Sequence, residues 1–324
     1  MRSRILSVLK AAGSSYISGE AIASELGISR TAVWKHINEL RQSGYHIDSH
    51  SRSGYRLQDS PDCLLPEEIK IGLDTEIMGR EIIYFDDIPS TNNQAKVKAR
   101  QGAVEGTVIV SEAQSIGKGR LDRSFFSPHG KGIWFSVILR PPFLPQDAPK
   151  CTLLAAVAVA AAMRSFGVEA GIKWPNDILC QGRKLTGILT EMSAEMDRIN
   201  YVVIGIGINV NILQDDFPEE LREKAGSMAM VKGELINRPS FFREVLRELD
   251  ICYREICNRG FGALMDKWRS LSVTLGQEIN VIGINESFSG KAIDIDDDGA
   301  LLVETEGAMR RVLAGDVSIR PKLQ

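Results

Sequence analysis

Apolar residues near the N-terminus recur with a helical period. Ile17, Ala21, Ile22 and Leu26, then Ile28, Val33, Ile37 and Leu40, fit two short amphipathic helices joined through Leu26-Gly27-Ile28. Gly27 gives the backbone freedom a tight turn needs. Ser29 stands where a side-chain cap would start the second helix, which runs to about Arg41. The pattern then switches to alternation. Residues 44–47 and 54–57 read as two strands around a polar turn at 48–53. Further on, 107–111, 133–139, 187–191 and 202–208 read as apolar strands. The Ala-rich stretch 153–163 reads as a buried helix, and 239–270 as a polar helical one. From 273 onward the segments are short: 277–283, 288–295, 300–306 and 309–313, with turns at Asp297-Asp298-Gly299 and Glu306-Gly307. That spacing predicts a small barrel. The polar, proline-containing Gln58-Asp59-Ser60-Pro61-Asp62 marks a first boundary. The expected organisation is an α+β multidomain chain: a winged helix-turn-helix over 1–62, a mixed α/β body over 63–271 and a small β-barrel over 272–324.

Length and composition agree. A chain of 324 residues, 44% hydrophobic and 25% charged, is ordinary for a globular protein of two or three domains. No apolar run is long enough to span a membrane, and Met1-Arg2-Ser3-Arg4 opens no signal peptide, so a cytoplasmic protein is expected. Five scattered cysteines without a CxxC pair suggest neither a disulfide framework nor a zinc site.

Charge changes the picture. Residues 1–57 hold eight cations against four carboxylates, a net of +4 within a chain whose total is −3. A basic module on an acidic body points to nucleic acid as partner of the module alone. Arg30, Thr31, Lys35 and His36, behind the cap Ser29, compose the polar side of a recognition helix, and Arg52 and Arg56 would let the wing reach phosphate. Trp34 is expected to pack under the wing. A three-helix structural domain with a solvated charged face is the bland alternative.

Five motifs in the body carry candidate chemistry. Gly117-Lys118-Gly119-Arg120-Leu121-Asp122-Arg123 combines two glycines with three cations, a cage for anions that lacks P-loop spacing. A carboxylate and a triphosphate repel each other, so joining them requires cations between them. Lys173-Trp174-Pro175-Asn176-Asp177 offers polar groups at a rigid bend, suited to ribose or magnesium. Arg183-Lys184-Leu185-Thr186-Gly187 sends a lysine into an apolar strand, which is unusual unless it meets an anion. Gly205-Ile206-Gly207-Ile208-Asn209 lets something lie close to strand backbone and lacks the third glycine of a dinucleotide fingerprint. Ser90-Thr91-Asn92-Asn93 clusters polar groups at a helix start. Each alone also reads as a surface loop, a self-bonded turn, a hairpin lip, tight packing or a plain cap.

Their order and spacing are more specific. Pro89-Ser90-Thr91-Asn92, Gln114-Ser115-Ile116-Gly117-Lys118-Gly119-Arg120, Lys173 to Asp177, Arg183 to Leu189 and Gly205 to Val210 resemble the motif series of biotin protein ligases. With the front module, the chain resembles the bifunctional bacterial form, in which a ligase is also the repressor of biotin genes. The resemblance spans nearly the whole chain. It implies a class II synthetase-like, lipoate-ligase-like centre and an SH3-like C-terminal barrel. It implies ATP and magnesium as cofactors, biotin as substrate, and a biotin carboxyl carrier protein and operator DNA as partners. It also implies a homodimer when adenylate is bound. By motif, Ser90, Thr91, Asn92, Gln114, Lys118, Gly119, Arg120, Lys184, Gly205 and Gly207 would hold biotin. Arg120, Arg123, Phe125, Lys173, Asn176, Asp177 and Asn209 would serve ATP or the adenylate, with Asp177 toward magnesium. Lys184, Arg120 and Lys118 would carry the chemistry. Two positions depart from the family loop. Lys118 replaces an arginine, keeping charge but losing the planar fork, and Phe125 replaces a tryptophan. The loop over 115–125 is expected to order over the adenylate. A lipoate ligase, a sensing repressor without catalysis and a ligase with a non-regulatory front domain are the competing readings.

Overall fold

Three helices form the front of the chain: α1 (Arg2–Ala11), α2 (Gly19–Leu26) and α3 (Arg30–Gln42). The Ser18 and Ser29 hydroxyls cap the last two, accepting from Ala21 N at 3.0 Å and Ala32 N at 3.1 Å. Gly27, at φ 67°, closes α2 in the left-handed conformation. Ile5, Leu6, Leu9, Ile22, Val33, Ile37 and Leu40 form the core they share. Strands β1 (His46–His50) and β2 (Gly54–Asp59) pair antiparallel as the wing. The first begins later than alternation suggests, because Gly44 turns at φ 92° and Tyr45 joins the helical core. A short helix α4 (Pro66–Lys70) follows, and Glu68 accepts from Lys10 Nζ at 2.6 Å. The structure, a computed structural model, describes residues 1–121, 123–283, 286–314 and 318–321. It divides into two compact units, Met1–Leu73 and Asp74–Gln324.

The second unit is built on a seven-stranded mixed sheet in the order β3-β4-β5-β9-β8-β7-β6. The strands are β3 (Ile82–Ile88), β4 (Val108–Gln114), β5 (Gly132–Leu139), β6 (Gly171–Lys173), β7 (Asp177–Cys180), β8 (Arg183–Ala194) and β9 (Ile199–Asn209). Only β3 and β4 run parallel. Helix α5 (Thr91–Arg100) covers one face, laying Ala95 and Ala99 on Ile109, Ile138 and Val203. Helices α6 (Lys150–Ser165), α7 (Met228–Lys232), α8 (Arg238–Arg259) and α9 (Gly262–Leu271) follow in the chain. On the other face Phe242 of α8 meets Phe135 edge-on, with ring centroids 4.7 Å apart. Coverage on both sides explains why every residue of β5 is buried. The polar stretch 239–270 is two helices rather than one, broken at Gly260, whose φ is 75°. Where α8 starts, Arg238 donates to Glu112 Oε2 at 2.7 Å and to the Gly132 carbonyl at 3.0 Å, with both side chains buried.

The C-terminal strands β10 (Glu278–Ile282), β11 (Ser287–Ile295), β12 (Leu301–Thr305), β13 (Ala308–Val312) and β14 (Ser318–Pro321) form an antiparallel sheet ordered β13-β12-β11-β10-β14. Among the described residues β13 and β14 do not pair, so the expected SH3-like barrel is an antiparallel sheet whose ladder stays open. The sheet is tied to the β6–β7 turn: Trp174 donates its backbone N–H to Thr274 Oγ1 at 2.9 Å and its indole N–H to the Gly299 carbonyl at 3.0 Å.

Candidate active site and nucleic-acid interface

A cleft of about 260 Å³ opens on the second unit. Ser90, Thr91, Asn92, Gln114, Lys118, Gly119, Arg120, Arg123, Phe125, Lys173, Asn176, Asp177, Lys184, Gly205 and Gly207 all line it. Asp122 lies outside the described residues. Asn209, expected toward a nucleotide, is not on the wall: it is buried, and its amide donates to the Gly226 carbonyl at 2.9 Å.

A bulge sets the lysine. In the β7–β8 ladder Ile178 pairs with Thr186 but Leu179 with Lys184, so Leu185 is the extra residue. Strict alternation would set Lys184 on the opposite face from Gly187 and Leu189; the bulge turns it to theirs, and all three line the cleft. Lys184 Nζ lies 2.6 Å from Asp177 Oδ1. The turn before β7 is fixed by Asn176, whose Nδ2 donates to the Ile188 carbonyl at 2.9 Å while its Oδ1 accepts from Arg120 Nη1 at 3.0 Å. Arg120 Nη2 also donates to the Ala314 carbonyl.

The glycine loop is a small hairpin: Gly119 N donates to the Arg123 carbonyl at 2.7 Å and Phe125 N to the Gly117 carbonyl at 2.8 Å. It lays Phe125 on Gly187 and Gly207, which face each other across β8 and β9. A Cβ on Gly187 would come within 2.7 Å of the ring, and one on Gly207 within 2.5 Å. Lys184 Nζ stands 5.8 Å from the ring centroid. Two strand glycines therefore make a shelf for an aromatic ring.

The polar end of the cleft belongs to α5. Ser90 caps the helix, accepting from Asn93 N at 3.5 Å. Gln114 Oε1 accepts from Thr91 N at 2.9 Å and from Thr91 Oγ1 at 3.1 Å, and Gln114 Nε2 donates to Ser127 Oγ at 3.1 Å. Asn92 presses on Gly205, where a Cβ would overlap its amide oxygen. Ser127, Ser136, Lys96 and Glu191 belong to this surrounding, and Arg320 lines the cleft within reach of Lys173; all five escape sequence reading. A lone serine inside the apolar β5 was the available signal for Ser136.

Among the described residues the cleft wall carries six cations, Lys118, Arg120, Arg123, Lys173, Lys184 and Arg320, against Asp177 alone among carboxylates. Burial pushes the Lys173 ammonium below its ordinary value, against the pull of Asp177 and with help from Lys184, Arg320 and Arg123. So dense a set of cations is stabilised by a bound anion. Among the described residues no group of three metal-ligating side chains assembles.

In the front unit, Arg30, Thr31 and Lys35 are exposed along α3, and His36 is half-buried beside Glu39, Nδ1 to Oε2 at 2.9 Å. Trp34 is 58% exposed, which corrects the expectation that it packs under the wing. The inward stripe is Val33, Ile37 and Leu40, and residue 34 falls a hundred degrees from it, beside Arg30 and Lys35. Arg52 is exposed in the wing turn. Arg56 is partly committed, 2.9 Å from Asp48 and stacked 4.6 Å from the Tyr16 ring centroid.

Residues 83–209 match the biotin/lipoate A/B protein ligase family, 2–56 an HTH domain, and 274–320 the biotin protein ligase C-terminal domain. The chain is 44% identical to the bifunctional ligase/repressor BirA of Bacillus spizizenii over 98% of both chains. The chain belongs to the BirA family of bifunctional ligase/repressors. The BirA of Escherichia coli is 29% identical over 95% of this chain and 94% of its own. Among solved structures, the biotin protein ligase from Aquifex aeolicus in complex with biotin and ATP matches with a TM-score of 0.66 and 26% identity. That match covers 75% of this chain and all of the other. No helix among the described residues is long and apolar enough to cross a membrane.

Proposed function

We propose that this chain is an ATP-dependent biotin–protein ligase that also represses transcription of biotin genes. The observation that carries the ligase reading is the cleft itself, which among the described residues sets six cations around one carboxylate beside a neutral, hydrogen-bonding end. In this reading the polar end formed by Ser90, Thr91, Asn92 and Gln114 takes the biotin ureido ring, and Gly205 presents bare backbone beside it. The biotin carboxylate then lies among Lys118, Arg120 and Lys184, next to the triphosphate held by Arg123, Lys173 and Asn176. Phe125 supplies a face for the adenine. The carboxylate attacks the α-phosphorus, pyrophosphate leaves, and biotinyl-5′-AMP remains. A lysine amine of the carrier protein then attacks the acyl carbon and releases AMP. No side chain need accept a proton in the first step, because the nucleophile is already ionised. The work is positioning and charge neutralisation, with each well-placed donor contributing about 3 kcal/mol of barrier lowering. Magnesium usually takes one or two carboxylates plus substrate phosphates, and Asp177, the carboxylate of the cleft wall among the described residues, fits as a ligand for magnesium arriving on the triphosphate. There it would neutralise phosphate charge.

The second activity rests on exposed Arg30, Thr31 and Lys35 at the start of a capped helix. We infer that α3 enters a major groove, that the adenylate-bound protein dimerises on a two-fold operator, and that both activities are cytoplasmic. Incubation with ATP, biotin and a purified carrier domain should add the mass of one biotin to the carrier. No mass gain would end the ligase reading. A gel shift on the chain's own upstream region that needs both biotin and ATP supports the repressor, and a shift indifferent to them rejects it.

A further inference from the structure

Glu191, on β8, spends its two carboxylate oxygens on two residues of α5. Oε1 accepts from Lys96 Nζ at 2.7 Å and Oε2 from Asn92 Nδ2 at 2.9 Å. Asn92 and Lys96 are one helical turn apart, so the carboxylate clamps one face of α5 to β8. Asn92 Nδ2 also donates to the Leu189 carbonyl at 3.3 Å. With its amide nitrogen committed to acceptors on β8, Asn92 must turn its oxygen the other way. That oxygen lies over Gly205 and 2.6 Å from Ser136 Oγ.

The orientation has consequences along the floor. Ser136 has one proton and two neighbouring oxygens, Asn92 Oδ1 at 2.6 Å and Thr91 Oγ1 at 2.8 Å. An asparagine held with its oxygen inward draws that proton. Thr91 then gives its own proton to Ser136 Oγ or to Gln114 Oε1, and keeps its lone pairs for a ligand N–H. If the amide turned over, its NH₂ would donate to Ser136, the serine proton would go to Thr91, and a lone pair facing the cleft would be used up. Burial pushes the Glu191 carboxyl up, but the hydrogen bonds from Lys96 and Asn92 outweigh it and hold it below its ordinary value, so it stays an ion and an acceptor at neutral pH.

We infer that Glu191, with Lys96 as its counter-ion, is a positioning residue for the ligand's cyclic urea: it fixes the Asn92 amide and through it the direction of the Ser136–Thr91–Gln114 hydrogen bonds. The inference rests on reading the polar end of the cleft as the urea subsite. The test is a comparison of Glu191→Gln, Glu191→Leu and Lys96→Met in the full chain, with steady-state kinetics in biotin and in ATP and calorimetric binding of biotin alone. Gln retains a carbonyl acceptor for Asn92, whereas Leu removes it. Glu191→Leu should raise KM and Kd for biotin about tenfold or more, the effect of one hydrogen bond to a charged group. Its KM for ATP and its kcat should stay within about threefold of the parent protein. Glu191→Gln and Lys96→Met should each raise KM for biotin by no more than about threefold. Equal losses for biotin and ATP, Gln as damaging as Leu, or unchanged biotin affinity in the Leu variant would each overturn the inference. Parent protein that binds biotin normally beside an unaffected Leu variant removes this inference alone. Parent protein that binds no biotin removes the subsite reading with it.

Discussion

Replacing Gly207 by alanine isolates what the aromatic shelf does. Residue 207 is in a regular stretch of β9, and its backbone accepts any side chain. The new methyl therefore acts only through contact. It would stand 2.5, 2.9 and 3.1 Å from Cε1, Cζ and Cδ1 of Phe125. Ordinary carbon contacts lie at roughly 3.5–4.0 Å, so the ring must retreat by about 1 Å. Trp134 bounds it edge-on at a centroid distance of 5.9 Å, and the Phe125 backbone is bonded to Gly117, which leaves tilting off the shelf as the escape. The ring is half-buried. Giving up that burial costs about 1–2 kcal/mol, part of the ~1.5–3 kcal/mol for a fully buried large apolar side chain. In a unit of this size the melting temperature should fall by about 2–8 °C. If the ring seats the nucleotide base, KM for ATP in a pyrophosphate-release assay should rise about tenfold, while calorimetric biotin affinity stays within about threefold. An unchanged KM for ATP, or biotin affinity falling in step with it, would refute the reasoning.

Three further outcomes follow from the same geometry. Arg120→Ala, which frees Asn176 and the Ala314 carbonyl, should speed release of biotinyl-AMP more than it weakens biotin; equal factors in stopped-flow release and equilibrium binding would contradict this. Arg238→Met removes the buried guanidinium that pairs with the Glu112 carboxylate and should cost about 3–5 kcal/mol in denaturant unfolding, against under 1 kcal/mol if the pair were incidental. Burial lowers the Lys173 pKa, so its charged form exists below that lowered value and is lost as pH rises through it, at lower pH than for a free lysine. The alkaline limb of kcat/KM for ATP should then move to higher pH in Lys173→Arg, and a limb that does not move would assign it to another group.

The fold was legible where periodicity is a local matter. The apolar stripes of α2 and α3, the Ser29 cap and the run in β5 follow from the sequence alone. The three-residue β6 and the four-residue β7 carry too few residues for a period, and β14 pairs only because β10 offers an edge. In the site, residue types were legible but convergence was not. Nothing local tells that Lys184 and Gly187 share a side, because that depends on a register irregularity with β7. Ser136 was hidden by its apolar neighbours. Glu191 and Lys96 were hidden because a surface-like charge pair at a strand and helix face has no composition of its own. Asn209 has the right parity to join Gly205 and Gly207, yet lies far enough along β9 that backbone carbonyls claim its amide first.

The extra residue at Leu185 makes the placement of Lys184 a matter of counting as well as of chemistry. A one-residue insertion between Lys184 and Gly187 that the bulge does not absorb would return the lysine to the face opposite Gly187 and Leu189. This segment should therefore tolerate changes of letter far better than changes of length, and any engineered loop graft here must conserve its residue number before its composition.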